Sequence, residues 1–108
     1  MERIYNKLVR DKIPETIKEK GENPITRELE LDEYKLALEQ KLQEECHEVI
    51  TADGEERIEE LADTLEVLRA LAKLENATLD DVIAVADKKS TKRGAFEKRI
   101  FLEKVISK

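Results

Sequence analysis

The fold is decided by residues 38–50, which read Leu-Glu-Gln-Lys-Leu-Gln-Glu-Glu-Cys-His-Glu-Val-Ile, and by residues 59–68, which read Glu-Glu-Leu-Ala-Asp-Thr-Leu-Glu-Val-Leu. In each stretch the apolar residues recur with the period of a helix, which predicts two amphipathic helices. Asp53-Gly54 lies between them and marks a tight link. We therefore expect the two helices to fold back on each other as an antiparallel pair.

Acidic residues occupy positions on the first helix where apolar residues are expected. At about 100° per residue, Glu45 falls between Leu38 and Val49 in the apolar sector, and Glu48 borders that sector beside Glu44. An isolated buried carboxylate is costly, and such groups are normally paired, protonated or bound to a cation. Glu45 is therefore the residue whose position needs a functional or structural explanation.

The second helix shows the same anomaly on one of its two apolar faces. The face that carries Val67 becomes acidic toward the N-terminus, at Asp63 and Glu60. The opposite face stays apolar and consists of Ile58, Leu61, Leu65, Leu68 and Ala72. Antiparallel folding would place four carboxylates together, and these would repel each other unless divalent cations bind them. The competing interpretation is a solvated face, since 26 of the 108 residues are Asp or Glu.

The composition predicts an all-α protein with one domain over residues 1–108. Charged residues make up 43% of the chain and aromatic residues 4%, so the core must consist of aliphatic side chains. We expect an antiparallel helical bundle with at most short extended segments near both termini. A monomer would leave apolar helix faces in water, so we also expect a homo-oligomer, either a dimer or a tetramer.

Several predictions concern compartment and partners. One cysteine cannot form an internal disulfide, and no signal peptide or apolar run of about 18 residues is present, so we expect a cytoplasmic protein with no membrane partner. Residues 28–66 carry 15 acidic and 3 basic residues, a net charge of −12 between basic flanks. This distribution argues against nucleic acid and favours a polyphosphate ligand bound through metal ions and flanking bases. Cys46 should be a small buried hydrophobe, and His47 an ordinary surface residue.

The element boundaries follow from capping and turn residues. Asp11 should cap a helix to about Lys20, with Lys7 and Arg10 before it as candidate phosphate ligands. The remaining predictions are an extended connector over residues 25–31, a helix capped by Asp32 to about residue 52, one capped by Asp53 and Glu56 to about residue 75, and one capped by Thr78 and Asp81 to about residue 92. The periodicity of residues 95–105 does not decide between strand and helix.

The acidic pattern resembles the signature of a known superfamily. Glu44-Glu45-x-x-Glu48 followed by Glu60-x-x-Asp63 on consecutive helices is similar to the MazG-like all-α nucleoside triphosphate pyrophosphohydrolases. Residues 5–15 (Tyr-Asn-Lys-Leu-Val-Arg-Asp-Lys-Ile-Pro-Glu) and residues 93–102 (Arg-Gly-Ala-Phe-Glu-Lys-Arg-Ile-Phe-Leu) resemble small proteins of the phosphoribosyl-ATP pyrophosphohydrolase-like subgroup. The chain departs from that pattern at Ala95, where relatives often have Gly.

The resemblance implies a fold, a cofactor and a set of site residues. It implies an all-α pyrophosphohydrolase that binds Mg²⁺, with Mn²⁺ able to substitute, and that cleaves a nucleoside triphosphate to the monophosphate and pyrophosphate. The implied metal ligands are Glu45, Glu48, Glu60 and Asp63, and the implied proton acceptor is Glu44, Glu45 or Glu48. The implied phosphate ligands after the third main helix are Lys88, Lys89, Lys92 and Arg93, with Asp87 near the start of the patch.

The resemblance leaves the substrate and two other functions open. Phosphoribosyl-ATP, or a noncanonical nucleotide in a house-cleaning role, fits equally well, because no residue identifies the nucleobase. One rival is a catalytically silent helical module that serves in assembly or regulation. The other is a metal-dependent phosphohydrolase that acts on another nucleotide and releases a single phosphate.

Overall fold

The computed structural model describes residues 1–107 and contains four helices in that range: α1 (Ile13–Glu19), α2 (Leu31–Thr51), α3 (Gly54–Leu74) and α4 (Leu79–Arg93). No strand is present in residues 1–107, so the prediction of an all-α fold is confirmed. The extended connector before α2 forms no strand, and residues 95–105 form neither a strand nor a helix but contain a turn around residues 96–98. None of the helices in the described range is long and apolar enough to cross a membrane.

Of the four predicted helix caps, that of α4 is correct, that of α3 is correct in position only, and those of α1 and α2 are wrong. The Thr78 side chain accepts a hydrogen bond from the Asp81 N–H at 3.1 Å, and the Thr78 N–H donates to the Asp81 carboxylate at 2.9 Å, as expected of a capping box. Asp11 precedes α1 by two positions, and Asp32 lies inside the first turn of α2. Asp53 occupies the N-cap position of α3, but its side chain makes no cap bond. Acidic residues are favoured near a helix N-terminus by the helix dipole alone, so they do not identify the capping position.

The core lies between α2 and α3, which pack along each other. Because only Ala52 and Asp53 separate them, the two helices run antiparallel, as predicted. The link is compact: the Arg57 side chain donates a hydrogen bond from Nε to the Ala52 carbonyl at 2.8 Å, and Gly54 adopts a φ of +56°, which a residue without Cβ tolerates. The buried apolar residues of the described chain are Leu38, Ala52, Val67 and Ala72.

The rest of the chain is much more open than a compact domain of this size. Every residue from Asp80 to Ser107 is exposed. The apolar face of α3 formed by Ile58, Leu61, Leu65, Leu68 and Ala72, here called the Leu65 face, is also exposed except at Ala72. The accessible surface is 10555 Å², whereas a folded monomer of 12.5 kDa has about 6200 Å². The radius of gyration is 18.8 Å, against about 13 Å for a compact domain of this length. Cys46 is also exposed, so the expectation that it is buried is wrong for the single chain.

Candidate functional site

Three of the predicted metal ligands converge between α2 and α3. Glu45, Glu60 and Asp63 each place one carboxylate oxygen within 4.8 Å of the others, and all three side chains are half-buried. Glu60 and Asp63 are three residues apart, so they lie on the same face of α3, and this face is directed at Glu45 on α2. We refer to these three residues as the acidic group.

Glu60 is the member of the acidic group whose pKa is raised by its surroundings. Desolvation raises the pKa of Glu60 above its usual value, and the neighbouring charges of Glu48, Asp63 and Glu45 raise it further, in that order. A hydrogen bond with Glu45 acts in the same direction. Because each of these effects disfavours the Glu60 carboxylate, a bound cation would relieve the repulsion.

The other two predicted acidic residues lie beside the acidic group. Glu48 is exposed and lies outside the three converging oxygens, although its charge contributes to the raised pKa of Glu60. Glu44 is exposed and lies near two ammonium groups, with Lys41 Nζ at 3.5 Å and Lys7 Nζ at 3.6 Å. Glu48 is therefore close enough for its charge to act on Glu60, whereas Glu44 lies in a positively charged environment.

Two basic residues of the N-terminal segment form ion pairs at or beside the acidic group. Arg10 Nη2 lies 2.7 Å from Asp63 Oδ1, and Lys7 reaches Glu44. These two residues were predicted from the sequence as candidate phosphate ligands before α1. Lys41 was not predicted, although its distance of 4.0 Å from Glu45 follows from their spacing of four positions on one helix.

A cavity of about 570 Å³ opens beside the acidic group. Glu45 and Asp63 line one end, and Arg69 and Lys73 of α3 line its wall further along the helix. Between these ends the wall is mixed: the apolar residues Leu8, Tyr34, Leu38, Val67 and Ala70 line it together with the charged residues Arg10, Asp11, Lys41 and Glu66. Nothing in the residue pattern indicated this cavity, because its third wall is the non-helical N-terminal segment.

The basic residues of α4 are not brought to the acidic group within the chain. Lys88, Lys89, Lys92 and Arg93 are all exposed, and among residues 1–107 no ion pair joins any of them to an acid. Asp87 is exposed on the same helix, and α4 packs only against α3 among the helices. His47 is exposed, as expected.

Comparisons with known proteins identify related sequences. The family model described as phosphoribosyl-ATP pyrophosphohydrolase matches residues 6–90, which contain the acidic group, Lys7 and Arg10 but not Lys92 or Arg93. A protein of Mycolicibacterium smegmatis that is described as uncharacterized is 52% identical over 46 residues, which cover 43% of this chain and 47% of the relative. The match thus spans about half the length of that relative. No solved structure matches the chain.

Proposed function

The chain belongs to the phosphoribosyl-ATP pyrophosphohydrolase family, within the MazG-like superfamily, and on this basis we propose that it is a Mg²⁺-dependent nucleotide pyrophosphohydrolase. In the proposed reaction, water attacks the α-phosphorus of a nucleoside triphosphate or of a phosphoribosyl-ATP-like nucleotide. The bond between the α-phosphorus and the bridging oxygen breaks, and the products are a nucleoside monophosphate and pyrophosphate. A house-cleaning role against noncanonical nucleotides belongs to the same proposal.

The convergence of Glu45, Glu60 and Asp63 carries this proposal. Carboxylate oxygens are the ligands that Mg²⁺ prefers in proteins, and Mn²⁺ accepts the same donors. The donor set therefore fits a divalent cation, with Glu48 as a fourth ligand. The raised pKa of Glu60 supports the same interpretation, because a cation removes the repulsion that raises it.

The residues around the acidic group divide the remaining tasks. Bound Mg²⁺ would supply charge neutralisation of the triphosphate and a water of lowered pKa. Glu44, Glu45 and Glu48 are the candidate proton acceptors, and Glu48 is the one that is exposed and held by no ion pair among residues 1–107. Arg10 and Lys7 would hold phosphate oxygens and stabilise the departing pyrophosphate.

We propose further that the functional unit is a homo-oligomer, either a dimer or a tetramer, in the cytoplasm. The exposed Leu65 face of α3 and the accessible surface of 10555 Å² support association, because burial between copies would remove the excess apolar surface from water. In such an assembly the exposed bases of α4, namely Lys88, Lys89, Lys92 and Arg93, would complete the phosphate site. The single cysteine is free, which suits a reducing compartment.

The test is pyrophosphate release from a panel of canonical and modified nucleoside triphosphates and phosphoribosyl-ATP, with and without Mg²⁺. The expected result is release that requires Mg²⁺ and favours one nucleotide. Release of a single phosphate would instead identify a different phosphohydrolase. No release by a folded protein whose melting temperature does not respond to Mg²⁺ would favour a catalytically silent assembly module.

A further inference from the structure

We propose that the cavity between the N-terminal segment, α2 and α3 is the nucleoside pocket, in which the base lies against Tyr34. The inference rests on the proposed function for the identity of the reaction. The inference concerns the cavity and not the acidic group, because the acidic group would bind the polyphosphate and not the base or the sugar. The location, the lining and the charge distribution of the cavity each support it.

The location and size of the cavity suit the non-phosphate part of a nucleotide. Glu45 and Asp63 belong both to the acidic group and to the cavity wall, so the two sites are continuous. A polyphosphate held at the acidic group would therefore direct its sugar and base into the cavity. The volume of about 570 Å³ falls within the range of roughly 300–1,000 Å³ that is typical of small-molecule sites.

The lining provides a flat apolar surface for a base. Leu38 and Val67 are 4% and 7% exposed and form a rigid part of the wall, and Ala70 next to them leaves space for a ring. Tyr34 lies one helical turn before Leu38 on α2, is half-buried and is the aromatic residue of the lining. Stacking between an aromatic side chain and a base is favourable for every base, because every base has a π-face.

The charges along the cavity match the polarity of a nucleotide. The carboxylates at one end, with the proposed metal, would receive the polyphosphate. Further along α3, Lys73 and the guanidinium nitrogens of Arg69 that do not contact Glu66 offer hydrogen-bond donors. Bases carry carbonyl oxygens or ring nitrogens that accept such bonds. The apolar side chains between the two ends, Tyr34, Leu38, Val67 and Ala70, would then face the ring itself.

The experiment is a calorimetric titration of the protein in Mg²⁺ with the 5′-monophosphates of adenosine, guanosine, cytidine and uridine. We expect the wild type to bind at least one of them. Tyr34→Leu, which removes the ring, and Ala70→Leu, which fills the cavity, should each raise the dissociation constant about tenfold or more. Tyr34→Phe should stay close to the wild type. The matched controls are Tyr5→Leu and Ala84→Leu, both at exposed positions outside the cavity.

The Mg²⁺-dependent rise in melting temperature shows whether a variant is folded with its acidic group intact. If Tyr34→Leu and Ala70→Leu retain that rise and bind the nucleoside monophosphate with the dissociation constant of the wild type, the cavity is not the nucleoside pocket, even if pyrophosphate is released. Failure of the wild type to bind any of the four monophosphates would also overturn it. Conversely, nucleotide binding that depends on Tyr34 and Ala70 without pyrophosphate release would support the pocket and reject the proposed reaction.

Discussion

The Arg10 guanidinium lies 2.7 Å from the Asp63 carboxylate, although 53 residues separate the two along the chain. This contact joins the non-helical N-terminal segment to the acidic group on α3. Arg10 therefore occupies the position of a counter-ion at the same carboxylate that the proposed metal would use. Both partners are about half-exposed, so the pair contributes at most about 1 kcal/mol to stability.

The Arg10→Ala variant should bind Mg²⁺ more tightly than the wild type in the absence of nucleotide. Removal of the guanidinium leaves Asp63 free for the cation and makes the acidic group more negative. Because an exposed ion pair is worth up to about 1 kcal/mol, the gain in affinity should not exceed about fivefold. Calorimetric titration with Mg²⁺ measures it. Arg27→Ala is the matched control, since Arg27 forms an exposed ion pair with Glu33 outside the cavity. Unchanged or weaker Mg²⁺ binding by folded Arg10→Ala would contradict the idea that Arg10 and Mg²⁺ compete for the Asp63 carboxylate.

The Glu60→Gln variant should be more stable than the wild type near pH 7 without metal. The pKa of Glu60 is raised above 4.5 in the folded state by desolvation and by Glu48, Asp63 and Glu45. The folded state therefore binds more protons than the unfolded state between pH 4.5 and that raised pKa, and the free energy of unfolding falls as the pH increases through this window. The amide of Glu60→Gln carries no charge, so this contribution to the fall in the free energy of unfolding with pH should be absent in the variant.

Urea denaturation between pH 4 and 8, with and without Mg²⁺, measures this effect. Mg²⁺ should restore the stability of the wild type at pH 7 and have a much smaller effect on Glu60→Gln. Glu59→Gln serves as the control, because Glu59 is an exposed neighbour on α3 that lies outside the acidic group. Lower stability of metal-free Glu60→Gln at pH 7 would mean that the carboxylate is not repelled by its neighbours.

The Glu45→Gln variant should fold but lose Mg²⁺-dependent turnover by at least about a hundredfold. Loss of an outer-shell partner of a metal site already costs about 10- to 100-fold, and Glu45 is proposed to bind the metal itself. Pyrophosphate release at saturating Mg²⁺, together with circular dichroism of the fold, provides the measurement. Glu39→Gln changes an exposed carboxylate of the same helix and should retain activity. Full activity in Glu45→Gln would show that Glu45 is not a metal ligand of the site.

The helical pattern determined much of the architecture and the centre of the site. Glu45 was identified because a carboxylate stood in an apolar sector of α2, and Asp63 because it stood in one of α3; local periodicity and a two-residue link suffice to bring them together. The position of Arg10 relative to the acidic group, and the cavity wall formed by Leu8, depend on the path of the non-helical N-terminal segment. Such a path has no periodic pattern, so neither the Arg10–Asp63 contact nor the cavity could be predicted.

Prediction was weakest where the determinants lie outside the single chain or at helix ends. Asp53 was expected to cap α3 in a capping-box-like pair with Glu56; it occupies the N-cap position, yet its side chain makes no cap bond. Cys46 was expected to be buried because it lies beside the apolar sector of α2, but it is exposed, whereas Leu42 and Val49 of that sector are half-buried. Apolar periodicity identifies which face requires a partner, but it does not say whether another helix of the same chain provides it.

The Leu65→Glu variant should convert an oligomeric wild type into a monomer. Leu65 is 42% exposed at the middle of the apolar face of α3 that α2 does not cover, and Ile58, Leu61 and Leu68 on the same face are also exposed. Burial of a leucine contributes about 1.5–3 kcal/mol, so a charge at this position should lower the melting temperature by about 10 °C. Light scattering after size-exclusion chromatography reports the mass. Gln40→Glu adds the same charge at an exposed polar position of α2 and should leave the mass unchanged. A monomeric wild type, or an oligomer that tolerates Leu65→Glu, would show that this face is not the contact between copies.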